Sequence, residues 1–309
     1  MKRRNSKEHI FEPSLPSNRI PIMVASVITL VVIWMYMRTW DYHEEIRAET
    51  DSLISEAPIF LPKKVDIPTF EIPMEGPPTL PEGYKEKKEN ILGHDITIYD
   101  DQSSFGIDHI IEEFQKDVYG LQALTIKPGD IILDIGGNVG MFSLMFAKLH
   151  PQAKIYTFEP IPRNYQFLRY NLFINGISSV TTVNRGLSSD GRSFTVKWDG
   201  RNPGGAGLLE QSTSGLTIEI KTVTIEQIMH KWDIQKVEYM KIDCEGCEHE
   251  VMPLLDLTKF KRIRGEAHDY AKMPPGVPRE NRDKFLCLMN AMKIQAGYGE
   301  FMCDPPGLR

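Results

Sequence analysis

Between residues 131 and 267 the chain alternates short apolar runs with stretches of helical periodicity. Ile131-Ile132-Leu133 reads as a buried strand over 131–134, and the glycines after it read as a sharp turn into a helix over Met141–Leu149. The same logic predicts a strand over 154–158, a helix over 162–174 stopped by Asn175-Gly176, and a strand over 180–184. A less regular region, 190–222, holds two predicted strands, Phe194–Trp198 and Leu216–Thr222, around Asp199–Gly207. Next come a helix over 224–232, a strand over Val237–Ile242 and a helix from about 246 that Pro253 should end early. A strand over Arg262–Ala267, a helix over 282–295 and a strand near Tyr298–Met302 complete the series. Upstream, His94–Tyr99 alternates like a short strand and Ile107–Val118 has helical periodicity. Strands alternating with helices predict an α/β domain with a doubly wound, mostly parallel sheet.

The first 83 residues follow a different plan. Ile20–Met37 is an uncharged run of 18 residues bracketed by Arg19 and Arg38. At about 1.5 Å per residue it spans roughly 27 Å as a helix, enough for a thin endomembrane bilayer. Trp34, Tyr36 and Trp40 sit where an interfacial aromatic belt would lie. Lys2, Arg3, Arg4, Lys7 and Arg19 precede the run, and Asp41, Glu44 and Glu45 follow it. That bias predicts a cytoplasmic tail (1–19), a transmembrane signal anchor (20–38) and a lumenal remainder, a single-pass type II arrangement in the Golgi or another endomembrane. The run ends in bulky residues rather than the small ones a signal-peptidase site wants. Residues 41–57 could form a short charged helix, and 58–81 hold seven prolines, which predicts an extended stem over 39–83 ahead of a domain over 84–309.

Composition narrows the choice of function. A formal charge of −6 argues against a binder driven by nucleic-acid phosphates. Four cysteines, Cys244, Cys247, Cys287 and Cys303, are too few for a disulfide scaffold. Cys244 and Cys247 are spaced C-x-x-C, but without a second pair zinc is disfavoured, leaving packing or a structural disulfide.

The chemistry concentrates at predicted strand ends, where ligands of doubly wound sheets bind. Asp134 ends the first strand directly before Gly136, Gly137, Asn138 and Gly140. A carboxylate there would repel a dinucleotide pyrophosphate but attract a sulfonium or an ammonium. Glu159 ends the next strand, 23 residues past Gly136, where an acid can take ribose hydroxyls, or where it could simply cap the following helix. The pair predicts S-adenosylmethionine (SAM) rather than NAD. Asp243 and Glu266 end two later strands, with His268 on the same side as Glu266 by strand alternation. A hydroxyl acceptor needs help with its proton, from a base or a metal, so Asp243 is the first catalytic candidate and His268 and Glu266 the next. Asp243, Glu266 and His268 could also hold Mg or Mn.

With those residues in place, the stretch 131–270 resembles the FkbM family of SAM-dependent O-methyltransferases. The resemblance rests on Leu133-Asp134-Ile135-Gly136-Gly137-Asn138-Val139-Gly140, Phe158-Glu159-Pro160, Asn171–Gly176, Lys221-Thr222-Val223-Thr224, and Lys241-Ile242-Asp243-Cys244-Glu245-Gly246-Cys247-Glu248. It implies a class I (Rossmann-like) methyltransferase fold and methylation of a hydroxyl, commonly on a sugar or polyketide-like acceptor. It also implies an adenine contact near Asn184 and Arg185. With the signal anchor, the expected acceptor is a glycan or other small hydroxyl compound of the secretory pathway. Two alternatives stay open: a type II membrane glycosyltransferase using Asp243 and Glu245 with a metal and a nucleotide sugar, and a catalytically inactive, membrane-tethered SAM-binding module.

Overall fold

The computed structural model describes residues 67–104, 106–198, 216–267 and 299–303. The predicted tail, signal anchor and 41–57 helix lie outside them, as do Asp199–Gly207, the 282–295 helix and His268. Among the described residues no helix is long and apolar enough to cross a membrane.

A six-stranded sheet organises the domain. Its strands are β3 (Ile131–Ile135), β4 (Lys154–Phe158), β5 (Val180–Val183), β9 (Tyr239–Ile242), β10 (Ile263–Ala267) and β11 (Gly299–Cys303). They lie in the order β11-β10-β9-β3-β4-β5, all parallel except β11, which runs antiparallel to β10. From β3 the chain winds outward through β4 to β5, then returns to β9 on β3's other side. The topological switch point of the sheet therefore falls between β3 and β9, and a ligand crevice belongs at their carboxyl ends. This is the doubly wound, mostly parallel α/β sheet that the alternating pattern predicts.

Strand alternation divides the apolar residues between two faces. Ile132, Ile155 and Tyr239 face one core with α2 (Met141–Leu149) and α3 (Pro162–Ile174), built on Phe142, Met145, Phe146, Phe167 and Leu168. Leu133, Ile135, Tyr156, Phe158, Met240 and Ile242 face the other with Ile225 and Ile228 of α4 (Ile225–Lys231), which starts in a Thr224–Gln227 capping box. Helices thus cover both faces, as parallel strands require. A small three-stranded sheet of β6 (Gly186–Leu187), β8 (Leu216–Val223) and β7 (Ser193–Trp198) sits beside this frame. As Pro253 foretells, α5 spans only Glu248–Val251 before tightening into a 3₁₀ turn at Met252–Leu254.

Two features depart from the sequence reading. Tyr84–Ile91 forms a strand, β1, paired antiparallel with β2 (His94–Asp101) across Leu92-Gly93. Its Tyr-Lys-Glu-Lys-Lys-Glu-Asn-Ile sequence hides the strand from a hydrophobicity pattern, because it is half-exposed along its length. Next, α1 spans Ile107–Gln115, three residues shorter at its end than the periodicity predicts, and the chain then turns at Asp117 with φ 49°.

The proline-rich segment, read as a spacer, lies against the domain over its described part. Phe70 is 6% exposed and stacks edge-on against Trp232 at 5.8 Å. Lys231 Nζ donates to the Phe70 carbonyl at 2.7 Å. Arg169 pairs with Glu75 at 2.7 Å and donates to the Gly76 carbonyl, and Arg163 donates to the Glu82 carbonyl. Prolines hold this stretch extended, but Phe70, Ile72 and Leu80 give it an apolar footing. Phe70→Ala should therefore cost about 3–5 kcal/mol of folding stability, as core Phe truncations do. Urea unfolding measures it; a loss near zero would mean that the strap is not part of the folded unit.

Candidate active site

Asp134 and Lys241 are Cα partners across β3 and β9, the two strands at the switch point. Both side chains project to the α2 side of the sheet, with Ile132 and Tyr239. Lys241 is buried, and its Nζ lies 3.2 Å from Asp243 Oδ2 and 3.8 Å from Asp134 Oδ1. It also donates to the Gly136 carbonyl at 2.6 Å. Burial opposes charge on this lysine, yet the Asp243 and Asp134 carboxylates outweigh it and hold its pKa above the usual value. One ammonium thus joins the first strand end, the glycine turn and the later strand end.

Asp134 is fully buried. Its Oδ2 accepts from Ser143 Oγ at 2.7 Å, and Ser143 in turn bonds Thr157 on β4. Burial pushes its carboxyl up, against the pull of Lys241 and Ser143. Asp134 Oδ1 and Asn138 Oδ1 are both buried without a hydrogen-bond partner. Orphaned acceptors of this kind are costly unless a donor arrives.

The glycine turn owes its residues to protein packing. Gly136 has φ +80°, and a Cβ on it would collide with the Asp243 carbonyl and lie 3.4 Å from Cys244 Cα. At Gly137 a Cβ would strike Thr157 and, at 2.7 Å, Leu168. The backbone N–H groups of both glycines donate to the Phe158 carbonyl. A side chain at Gly136 would thus part the β3 and β9 ends before it met any ligand, so its substitution cannot report on cofactor approach alone.

Glu159 is buried at the end of β4, and both of its oxygens are engaged. Oε2 accepts from the Asn138 N–H at 2.7 Å and Oε1 from the Ile161 N–H at 2.8 Å. Asn138 takes φ 49° to deliver that N–H. Glu159 braces the turn into α3 through the Ile161 N–H rather than capping the helix itself, and each carboxylate oxygen keeps a second acceptor direction. Burial pushes the Glu159 carboxyl up to about 8, against those two N–H groups.

The remaining predicted residues are spread more widely. Asp243 is about a quarter exposed (27%) beside Lys241. Glu266 sits on β10 opposite Glu300 of β11. Arg185 lies over the Phe70 ring at 5.6 Å and reaches the Glu71 carbonyl, so the strap, not the crevice, engages its guanidinium. Asn184 donates to the Glu159 and Pro160 carbonyls and braces that turn. Among the described residues no three His, Cys, Asp or Glu side chains come together to hold a metal. The donor set Asp243, Glu266 and His268 has its histidine outside them.

Three contributors were not singled out as site residues from the sequence. Lys241 had a visible signal, a charge inside an otherwise apolar strand. Ser143 is indistinguishable from any helix serine until α2 is docked. Tyr119 belongs to the loop after α1; it accepts at its carbonyl from Tyr239 Oη at 3.0 Å and stacks on Phe142 at 5.4 Å. Burial, then the charges of Asp243, Glu113, Asp134 and Glu266, raise its phenol's pKa, so its hydroxyl shares the electrostatic field of the site.

Residues 134–278 match the family model of the methyltransferase FkbM domain. The chain is 25% identical over 183 residues to methyltransferase sdnD of Sordaria araneosa, covering 50% of this chain and 70% of that one. It is 26% identical over 189 residues to the 31-O-demethyl-FK506 methyltransferase FkbM of Streptomyces tacrolimicus, covering 51% and 73%. With the hexuronic acid methyltransferase AglP of Haloferax volcanii it shares 26% identity over 138 residues, covering 45% and 55%.

Glu159 gives this site a signature in stability. Its carboxyl titrates near 4.5 when unfolded and near 8 when folded. Between those values the folded state keeps a proton that the unfolded state has released, so stability falls as pH rises through the window. Glu159→Gln should flatten that fall, by at most about 1.4 kcal/mol per pH unit. Gln also turns one amide donor toward a backbone N–H, so the slope, not the level, is diagnostic. Urea unfolding across the window measures it; parallel slopes for both proteins would refute the elevated carboxyl.

Proposed function

We propose that the chain, a SAM-dependent methyltransferase whose residues 134–278 match the FkbM domain model, methylates a hydroxyl on a glycan or similar secretory-pathway acceptor. The observation that carries this reading is the group of acids at the switch point, Asp134 and Asp243 paired with Lys241 and Glu159 on the Asn138 N–H. The site fits the cofactor: it holds two buried acceptor atoms without a hydrogen-bond partner and an acid at the ends of β3 and β4. Asp134, Asn138 and Glu159 would bind it, Glu159 through the acceptor directions its backbone partners leave open. Bound SAM supplies a methyl group on a positively charged sulfur. Arg185 is left out of this set, because its guanidinium is committed to the strap.

Asp243 handles the acceptor's proton. One of its oxygens is held by Lys241, which fixes the carboxylate's orientation at the crevice edge. Lys241 offsets the negative charge of the cluster without reaching the exposed edge itself. Relatives named for an O-demethyl compound and for a hexuronic acid support a hydroxyl of sugar or polyketide type. The family match displaces the glycosyltransferase alternative, which had no use for the Asp134–Gly140 turn.

Binding and turnover test this reading separately. Asp134→Asn and Glu159→Gln should each weaken SAM in calorimetry by about 1.5–3 kcal/mol, or roughly 10- to 150-fold. Asp243→Asn should cut methyl transfer from labelled SAM into a microsomal glycan extract by about 10²–10⁴, far more than it weakens SAM binding. If Asp243 is a simple base, EDTA should leave that transfer unchanged; a loss that Mg or Mn restores would assign Asp243, Glu266 and His268 to a metal. Unaltered SAM affinity in both carboxylate variants would end the assignment. SAM binding with no transfer to any extract would favour the inactive module.

The placement is equally testable. The signal anchor at Ile20–Met37, its basic leading flank and a disulfide between Cys244 and Cys247 support a domain in the oxidising lumen. A C-terminal tag on microsomal protein should resist protease until detergent is added. Digestion without detergent would put the domain in the cytosol.

A further inference from the structure

Asp243 opens the turn Asp243-Cys244-Glu245-Gly246-Cys247, and the turn is closed by a disulfide between Cys244 and Cys247, with Cα atoms 5.5 Å apart. A cross-link around so short a ring removes little freedom from the unfolded chain, so its effect is local rather than global. The local geometry needs holding. Glu245 has φ +55° and Gly246 φ +114°, two successive residues in the positive region, the first with a side chain that disfavours it. Cys247 is anchored in the core and its carbonyl accepts from the Glu250 and Val251 N–H groups. Cys244 is half-buried, and its Cα lies 3.4 Å from where a Gly136 Cβ would be. The disulfide therefore ties the outer limb of the turn to a fixed inner one, with the outer limb lying on the glycine turn.

We propose that the Cys244–Cys247 disulfide is a positioning element of the cofactor site, keeping Asp243 and its carbonyl seated on Gly136, and that its reduction loosens the site. This rests on the SAM reading above. The contact runs through a short series: Asp243 meets Lys241, and Lys241 meets both the Gly136 carbonyl and Asp134. When the turn relaxes, Lys241 loses a fixed partner and the glycine turn loses its support. The chemistry is thiol–disulfide exchange with a dithiol. A thiolate of the dithiol attacks the more exposed Cys244 sulfur and Cys247 leaves as a thiolate. The dithiol's second sulfur then displaces Cys244, so the dithiol ends as a disulfide and the protein gains two thiols.

The experiment compares full-length protein as isolated, the same protein reduced with dithiothreitol, and Cys244→Ser/Cys247→Ser, with alkylation mapping the thiols. SAM affinity by calorimetry should fall about 5- to 10-fold on reduction, the size of one lost hydrogen-bonding geometry. Amide exchange in 243–247 should accelerate while that of β3 and β4 holds, a split that a merely stabilising cross-link would not give. The double variant should match the reduced protein and ignore dithiothreitol, which excludes an origin in Cys287 or Cys303. Equal SAM affinity and equal exchange in oxidised and reduced protein would overturn the proposal. So would free thiols at 244 and 247 in protein isolated under alkylating conditions. If the oxidised protein binds no SAM, the cofactor reading fails and the exchange comparison alone decides the role of the disulfide. Should the double variant fail to fold, the reduced wild type still decides.

Discussion

A buried ammonium surrounded by carboxylates is the constraint on which the site depends. Lys241 sits inside a strand that is otherwise apolar, where an isolated charge would be prohibitive. It is tolerated because Asp134 faces it in register from β3, Asp243 follows it two residues later, and the Gly136 carbonyl completes its shell. The dependence is mutual: without the lysine, Asp134 would be a buried carboxylate with only Ser143 to bond it. Breaking such a pair on one side costs about 3–5 kcal/mol, since the partner is left charged and dry. That coupling fixes the relative height of β3 and β9 at the crevice.

The glycine turn follows from the same geometry. Because the carbonyl of Asp243 presses against Gly136, and Thr157 and Leu168 against Gly137, neither glycine has room for a side chain. The turn is narrow because two strand ends meet over it. Its narrowness leaves Asn138 in a left-handed conformation with its N–H on Glu159, which sets the second acid in place. A single packing requirement therefore arranges Asp134, Asn138 and Glu159 together.

Much of this was legible in the chain. Asp134, the glycines and Glu159 announce themselves because an acid at the end of an apolar run has few structural uses, and the alternation of period-two and period-3.6 segments dictates the parallel sheet. What escaped did so for identifiable reasons. Five of the eight residues of β1 are charged, since one of its faces is solvated. Seven prolines drew the reading of 58–81 toward a free spacer, while Phe70 and Leu80, which dock it, are scattered singly among them. Arg185 ends its strand at an expected cofactor position, but the docked Phe70 offers its guanidinium a ring, a contact no local pattern encodes. Tyr119 comes into the field of the acids only through the fold of a loop 15 residues upstream of Asp134.

The electrostatics of the crevice bear on which ligand it suits. Burial raises the pKa of both Asp134 and Glu159, so in the free protein each carboxylate is less stable than in water even with its bonded partners. At Asp134 the Lys241 ammonium is the strongest force opposing burial, whereas at Glu159 the Ile161 and Asn138 N–H groups come first. A neutral ligand would leave that penalty in place, and an anionic one would add to it. A ligand that brings a positive sulfur and ammonium together with ribose hydroxyls relieves it at both positions, because charge and donors each favour the ionised carboxylates. In the proposed function, part of the cofactor's affinity thus comes from the cost of folding two acids into a dry strand end, and proton release should accompany its binding.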